Sequence, residues 1–360
     1  MGLGPDGTER IARARADLSM GVPVLVRTAE GTGLVLAAET LTQARLAAVQ
    51  AMAGTPALAI TDWRARTLKA RAYDGDLARI ALPQDADAAW VRAMADPKDD
   101  LRSPMKGPFR ELRDGGAALA RAGITLCKAA RLLPAAVVLP LGDPAALQDD
   151  GLTLVEEGEV LASRASPVGQ VVSARVPLAL SEAGRVHVFR TDSGAEEHYA
   201  VEIGSPDRGA PVLARLHSAC FTGDLLGSLK CDCGPQLRGA LAQMGAEGAG
   251  VLLYLNQEGR GIGLANKLRA YALQDQGFDT VDANHRLGFE DDERDFRIGA
   301  AMLRQMGFGA VRLLTNNPAK IARMEASGIT VTERVPLKVG ENPLNAGYLA
   351  TKAAKSGHLL

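Results

Sequence analysis

No run of apolar residues in this 360-residue chain approaches the ~20 that a membrane-crossing helix needs, so no membrane partner is expected. The opening residues MGLGPDGTERIARARADL lack the apolar centre of a secretory signal, and the expected compartment is the cytoplasm. Excess charge is missing too: 41 basic against 42 acidic side chains leave a formal net charge of -1. Without a strong field of either sign, nucleic acid is not expected as a partner, and an anionic ligand must be met by cations gathered locally. Cysteine is scarce. Of the four in the chain, Cys220, Cys231 and Cys233 crowd into one short stretch, which does not fit a secreted disulfide framework. Histidine is absent before His187. No internal repeat or low-complexity tract stands out beyond a general richness in Ala and Arg.

What is present is the composition of an ordinary folded protein: 47% hydrophobic and 23% charged residues suffice for a packed core. The length exceeds what a single core usually covers, so two domains are expected. A helix over 8–20 with an Arg-rich face is stopped by Gly21 ahead of the apolar strand 22–26. Alternation continues with a helix over 39–53, a strand near 57–60, a helix over 117–131 and a strand over 135–141. Mixed Gly, Pro, Asp and Glu from Asp143 to Pro167 mark a connection that contains a short apolar piece at 152–155. Paired strands are expected at 185–191 and 198–203, and a strand at 212–216 leads into the cysteines. The expected fold is α+β (mixed α/β) in two domains, 1–145 and 171–360, joined by residues 146–170.

Two cysteines separated by one residue cannot easily bridge to each other, but they can place two sulfurs on one metal if the chain turns tightly. Gly234 permits that turn, and Cys220 supplies a third thiolate. Zinc with three protein ligands keeps a fourth position for water and lowers its pKa towards ~7, as a catalytic site requires. On the residues alone, two other readings stay open: ordinary buried thiols, or a structural Cys3His site completed by His217. The neighbours Ser218, Thr222, Asp224, Ser228, Lys230 and Asp232 weigh against plain core, because each would need a partner if buried.

The segment ARLHSACFTGDLLGSLKCDCGPQL closely resembles the zinc-binding segment of GTP cyclohydrolase II. Three further segments resemble the same family in the same order: NQEGRGIGLANKLRAYALQDQGFDTVDANHRLGFEDDERDFRIGAAML, VRLLTNNPAKIARMEASGI and ERVPLKVGENPLNAGYLATKAAKSGHLL. Together they run from about residue 205 to the end. The resemblance implies a C-terminal mixed sheet with flanking helices and an enzyme that opens the imidazole ring of GTP. Formate and pyrophosphate would leave, giving a diaminopyrimidinone ribosylamine phosphate at the entry to riboflavin synthesis. It further implies one zinc ion (Zn2+) per subunit on Cys220, Cys231 and Cys233, magnesium (Mg2+) with the substrate phosphates, and a homodimer.

Carried onto this chain, the resemblance makes Arg294 the nucleophile, Asp292 its proton acceptor and Tyr271 the tyrosine near the zinc-bound water. It implies GTP contacts at Arg215, His217, Ser218 and Gln236, at Glu258, Gly259 and Arg260, and at Thr280, Thr315 and Lys320. Two positions depart from the common pattern: Ala219 stands where a glutamate usually precedes the first zinc cysteine, and Asn256 where an arginine is frequent. Alanine can neither accept a hydrogen bond nor carry charge, so one nucleotide contact loses its support.

The residues allow this chemistry. A triphosphate on a near-neutral protein needs local cations, for which Arg215, Lys230, Arg260, Arg294 and Lys320 are candidates. The glycines of 258–263 let backbone amides approach phosphate before a helix beginning near Leu264, although alone they read as an ordinary turn. The run 291–295 would by itself be a solvated charge cluster at a helix start, and 315–318 a plain strand-to-turn cap ahead of Lys320. Arginine stays protonated at neutral pH, so a nucleophilic Arg294 needs a neighbouring base.

Residues 11–26 faintly resemble the opening helix and strand of a dihydroxybutanone phosphate synthase, the N-terminal partner in bifunctional relatives. That enzyme type has an acidic loop after the strand and a metal-binding histidine. Here the chain reads Arg27-Thr-Ala-Glu-Gly-Thr-Gly33, and no histidine precedes His187. The first domain is therefore expected to be a degenerate relative with a structural, dimer-forming or regulatory role, and Cys127 a packed thiol. Two alternatives stand beside the ring-opening enzyme: a paralogue in another nucleotide pathway, signalled by Ala219 and the unusual N-terminal domain, and a catalytically silent nucleotide-binding regulator. Intact Asp292, Arg294 and Tyr271 argue against the regulator.

Overall fold

The computed structural model describes residues 3–142, 147, 150–163, 167–194, 196–357 and 359. It divides into two compact units, Met1–Arg164 with Ala265–Glu293, and Ala165–Leu264 with Arg294–Leu360. No helix among the described residues is long and apolar enough to cross a membrane.

In the first unit the strands β1 (Val24–Thr28), β2 (Gly31–Ala37), β3 (Ala57–Thr61), β4 (Leu77–Ala81), β5 (Ala135–Pro140) and β6 (Leu154–Glu156) form one sheet. Its order is β4-β3-β5-β2-β1-β6. Only the β1–β6 pair is parallel among these strands. The runs ALAIT of β3 and LARIA of β4 are buried along their whole length, Arg79 within β4 being paired with Asp74. Helices Gly7–Ser19 and Ala118–Ala129 bring Ile11, Leu18, Ile124 and Leu126 into a cluster with Val24, Val26 and Val35. Leu18, Leu36, Leu46, Leu58 and Ile60 are fully buried, and each stabilises the unit by ~2 kcal/mol.

Local signals explain the element ends. Asp6 and Glu9 form a reciprocal capping box, each side chain accepting from the other's backbone amide at 2.8 Å, and Gly21 at φ 75 follows the last turn. The strand β2 and helices Asp62–Leu68 and Ala88–Ala95 go beyond the expected alternation. Glycine-rich Gly31-Thr-Gly33 hides β2, and helices this short show little periodicity. Of the expected connection, 146, 148, 149 and 164–166 lie outside the described residues. Most of the remainder is ordered structure: Val155 of β6 is fully buried opposite Val26, and the helix Glu157–Ala162 follows.

In the second unit the strands are β7 (Val168–Arg175), β8 (Gly184–Thr191), β9 (Glu197–Ile203), β10 (Val212–Ser218), β11 (Gly250–Leu255), β12 (Ala310–Leu314) and β13 (Thr330–Val335). They pair in the order β13-β12-β10-β11-β9-β8-β7. The strands β13, β12, β10 and β11 run parallel, whereas β9, β8 and β7 continue as an antiparallel meander. One face packs on helix Arg297–Gln305 through Ala300, Met302 and Leu303. The other packs on helix Cys233–Glu247 through Ala240 and Met244. Ligands of such sheets collect beyond the carboxyl ends of the parallel strands, and there β10 leads to Cys220, β11 to Glu258 and β12 to Thr315.

Candidate metal centre

The period of two along β10 sorts its side chains: Val212, Ala214 and Leu216 enter the core on one face, while Arg215 and His217 point to the other. After Ser218 the chain leaves the sheet, and a turn of helix at Phe221–Leu225 folds it back towards Cys231. The sulfurs of Cys220, Cys231 and Cys233 all lie within 4.8 Å of one another. Cys220 Sγ and Cys231 Sγ are 3.8 Å apart, too far for a disulfide. Two thiolates on a tetrahedral zinc at ~2.3 Å would also be ~3.8 Å apart. Cys220 and Cys231 are buried and Cys233 is half-buried. Hydrogen bonding from the Cys220 thiol, the neighbouring sulfurs and burial push the Cys233 thiol well above its ordinary range, and Cys231 is raised as well. Three crowded thiols resist ionisation without a cation, and a dication reverses that balance.

Gly223 fits the cluster closely. A Cβ there would come 2.8 Å from Cys231 Sγ and 3.0 Å from Cys220 Sγ, so this position has no room for a side chain. The sulfurs thus surround a backbone that only glycine can supply. Neither the spacing nor the resemblance pointed to Gly223.

Asp224, whose side chain is 7% exposed, organises the turn. It accepts from the Cys220 amide at 3.0 Å and the Tyr254 hydroxyl at 3.0 Å, and both its oxygens lie 3.0 Å from His217 Nε2. His217 is therefore turned to a carboxylate, and the described metal-ligating cluster comprises the three thiols, which disfavours a Cys3His site. Burial lowers the His217 pKa, against the raising effect of Asp224, and keeps the ring neutral at pH 7. Arg215, buried on the same strand face, donates to the Leu314 carbonyl at 3.1 Å and to the Gln236 side chain, which donates in turn to Asp232. Burial lowers the Arg215 pKa to about 10.

After β11, Glu258 accepts from the Phe221 amide at 2.6 Å and ties its loop to the cysteine turn. Gly259 and Arg260 are both left-handed, at φ 64 and φ 63, and Gly261 and Gly263 also have positive φ. Arg260 is a non-glycine residue held in strained backbone, a feature that clusters at ligand sites. The helix that follows, Leu264–Gln274, begins at the expected place.

Arg294 donates to Ser218 Oγ at 3.2 Å. Its guanidinium, the Lys320 ammonium and the Arg323 guanidinium lie 4.9, 5.5 and 5.0 Å from the centre of the Phe296 ring. Three cations around one ring form a patch suited to a multiply charged anion. Arg323 was not foreseen, since its place depends on where helix Pro318–Ala326 packs. Gln257 was also missed: its amide donates to the Asp295 carbonyl at 2.9 Å and accepts from the Asp295 amide at 3.1 Å, which fixes the backbone beside Arg294. Lys320 donates to the Leu216 carbonyl at 3.0 Å. Buried Thr315 accepts from the Asn317 amide at 3.0 Å, ahead of the cap that Asn317 provides.

The second unit therefore holds the three cysteines, Arg215, His217, Ser218, Gln236, Glu258, Gly259, Arg260, Arg294, Thr315 and Lys320. Tyr271, Thr280 and Asp292 belong to the first unit. There the Tyr271 ring has the Lys267 ammonium 5.6 Å from its centre, Thr280 accepts from Gln274 at 3.2 Å, and Asp292 lies in the loop before Glu293. Cys127 is packed, its thiol pushed up to about 12 by burial.

Residues 169–336 match the family model described as GTP cyclohydrolase II. The chain is 45% identical over 359 residues to GTP cyclohydrolase-2 of Azospirillum brasilense, covering 97% of this chain and 93% of that protein. It is 60% identical over 175 residues to GTP cyclohydrolase-2 of Azotobacter vinelandii, covering 49% of this chain and 84% of that protein. Among solved structures, a two-domain 3,4-dihydroxy-2-butanone 4-phosphate synthase from A. baumannii aligns with a TM-score of 0.35 and 16% identity, over 92% of this chain and 100% of that one.

Proposed function

The chain belongs to the GTP cyclohydrolase II family, and from that premise we infer that it opens the imidazole ring of GTP, releasing formate and pyrophosphate at the first step of riboflavin biosynthesis. The observation that carries the site assignment is the three-thiol cluster at the carboxyl end of β10, its sulfurs within 4.8 Å of one another and Cys220 and Cys231 at the 3.8 Å that a tetrahedral zinc would set. Zinc held by Cys220, Cys231 and Cys233 supplies a Lewis acid for hydrolysis at neutral pH.

The remaining roles fall to side chains. Arg294, hydrogen-bonded to Ser218, attacks phosphorus and displaces pyrophosphate, its proton passes to Asp292 two residues earlier, and water then cleaves the phosphorus–nitrogen bond to free the monophosphate and restore Arg294. Arg294, Lys320 and Arg323 offset the triphosphate charge, and a magnesium ion accompanying the substrate would add to that neutralisation. Arg215, His217 and Gln236, already linked to buried partners, offer a preorganised edge for the nucleotide, and Glu258 to Arg260 and Thr315 complete its contacts. Tyr271 exchanges a proton during ring opening, and Thr280 contacts the nucleotide. The active form is a cytoplasmic homodimer, and the first domain carries no synthase activity because the acidic loop and histidine of that chemistry are missing.

The test is incubation of the purified full-length chain with GTP, zinc and magnesium, followed by formate assay and mass spectrometry of the products. Ring-opened product with formate is expected. Formate no higher than that of a Cys231→Ala control would reject the reading.

A further inference from the structure

The segment Ala265–Glu293, which carries Tyr271, Thr280 and Asp292, packs within the same compact unit as the N-terminal residues. Its last loop bears four consecutive acids, Glu290 to Glu293. Such a run repels itself and would not hold one conformation unaided. The N-terminal elements hold it. Trp63, on helix Asp62–Leu68, donates from Nε1 to Glu290 at 3.0 Å. Its ring stacks on His285 at 3.6 Å and 4°, and His285 Nε2 lies 2.7 Å from Asp291. Lys128, on helix Ala118–Ala129, donates to Glu293 at 2.6 Å, and both side chains are shielded, at 17% and 13% exposure.

The loop backbone is fixed as well. Thr61 Oγ1 donates to the Gly288 carbonyl at 2.9 Å in a buried contact. Gly288 has φ 88, and a Cβ there would meet Thr61 Oγ1 at 2.8 Å, so the close approach depends on glycine. Glu290, Asp291 and Glu293 each have a partner that fixes them, on both sides of Asp292.

We propose that Trp63 and Lys128 are positioning residues for Asp292, a platform that holds this acid through its neighbours Glu290, Asp291 and Glu293. The proposal rests on the role given to Asp292 above. A general base must sit within hydrogen-bond reach of the proton it takes, and a misplacement of ~1 Å can cost ~100-fold in rate. Trp63 and Lys128 bond the acidic loop 290–293 and none of the residues given a nucleotide contact above, so their loss acts on kcat rather than on GTP affinity.

The test uses full-length Trp63→Ala, Lys128→Met and Lys128→Arg proteins, assayed for formate release, zinc content, melting temperature and hydrogen exchange of the 289–294 amides. Trp63→Ala and Lys128→Met should each lower kcat roughly 10- to 100-fold, with KM for GTP and zinc content held, and should speed exchange across 289–294. Lys128→Arg should recover most of the rate. In an Asp292→Asn background, Lys128→Met should cost nothing further, because its effect passes through Asp292. Equal losses in both backgrounds, or unchanged exchange at 289–294, would overturn the platform. A wild-type chain that releases no formate would overturn the activity reading instead, and the exchange measurement would still decide whether the clamp exists.

Discussion

Both carboxylate oxygens of Asp224 lie 3.0 Å from Nε2 of His217, and the same carboxylate accepts the backbone amide of Cys220. One buried acid thus sets a histidine ring and the first thiol of the cysteine cluster together. Groups that orient metal ligands typically change affinity by ~10- to 100-fold when removed. Asp224→Asn should lower zinc affinity by about that factor in a chelator competition. The carboxylate is the influence that raises the His217 pKa against burial, so in the variant the pKa should fall further, as followed by NMR titration. For the wild type, a folded pKa below the unfolded value means that this histidine's stability contribution is present above ~6.5 and lost as pH falls through the folded value. Zinc affinity unchanged in Asp224→Asn would refute the organising role.

Gly223 is a harder constraint. The Cβ of an alanine would sit 2.8 Å from Cys231 Sγ and 3.0 Å from Cys233 Cβ, so the thiols must spread to admit it. A metal site tolerates only ~0.2 Å of such error in its ligand distances. Gly223→Ala should therefore purify with little zinc and no formate release. Its melting temperature should no longer respond to added zinc, whereas that of the wild type should rise with zinc through linkage. Full zinc occupancy in Gly223→Ala would count against the cluster as the metal centre.

Within the cation patch around Phe296, Arg323 offers a binding role apart from the chemistry given to Arg294. Arg323 is exposed and 5.0 Å from the ring centre. An exposed charge contact is worth about 1 kcal/mol at most, or roughly fivefold in affinity. Arg323→Ala should raise KM for GTP by about that factor and leave kcat nearly unchanged. The difference from wild type should shrink as salt rises, because screening weakens the wild-type contact. A KM that stays at the wild-type value in low salt would remove Arg323 from the nucleotide site.

Much of this arrangement was legible in the chain itself, and the remainder has identifiable physical causes. The strands β8, β9 and β10 and the helix after Gly263 announce themselves through apolar runs and glycine punctuation. The cysteine spacing announces a metal because few other arrangements explain three clustered thiols beside so many polar groups. Asp224 stands out in the sequence only as one of several polar neighbours of the cysteines, because its organising role depends on Tyr254, thirty positions away along the chain and adjacent only once β10 and β11 pair. Gly223, Gln257 and Arg323 likewise take their meaning from close approaches that no local pattern encodes. The piece 152–163 reads as a connection by composition, yet Val155 finds a place beside Val26 because tertiary burial overrides weak local propensity. The assignment of 265–293 to the first unit rests on buried long-range contacts such as Thr61 with Gly288, which periodicity cannot show.

Arg64 offers a test of what holds the first unit together. It is 1% exposed, donates to the Met94 carbonyl at 2.7 Å and forks onto Asp100, which Lys106 also reaches. Burial raises the Asp100 pKa, but Arg64 and Lys106 outweigh it and hold the carboxyl below its ordinary range. Because the folded value lies below the unfolded one, this stabilisation is fully present above the unfolded pKa of ~3.9. It is lost as pH falls through the folded pKa. Asp100→Asn leaves a buried guanidinium without its counter-charge, a loss of ~3–5 kcal/mol in comparable pairs. At neutral pH the variant should melt about 10 °C below the wild type, and the gap should narrow from pH ~4 downward, where the unfolded carboxyl takes up its proton before the folded one does. Arg64→Met should cost less, since it removes the buried cation and leaves Asp100 paired with Lys106. Equal melting temperatures for wild type and Asp100→Asn at neutral pH would show that the pair merely breaks even against its desolvation, in which case the apolar cluster of Leu18, Val24 and Leu126 carries the unit alone.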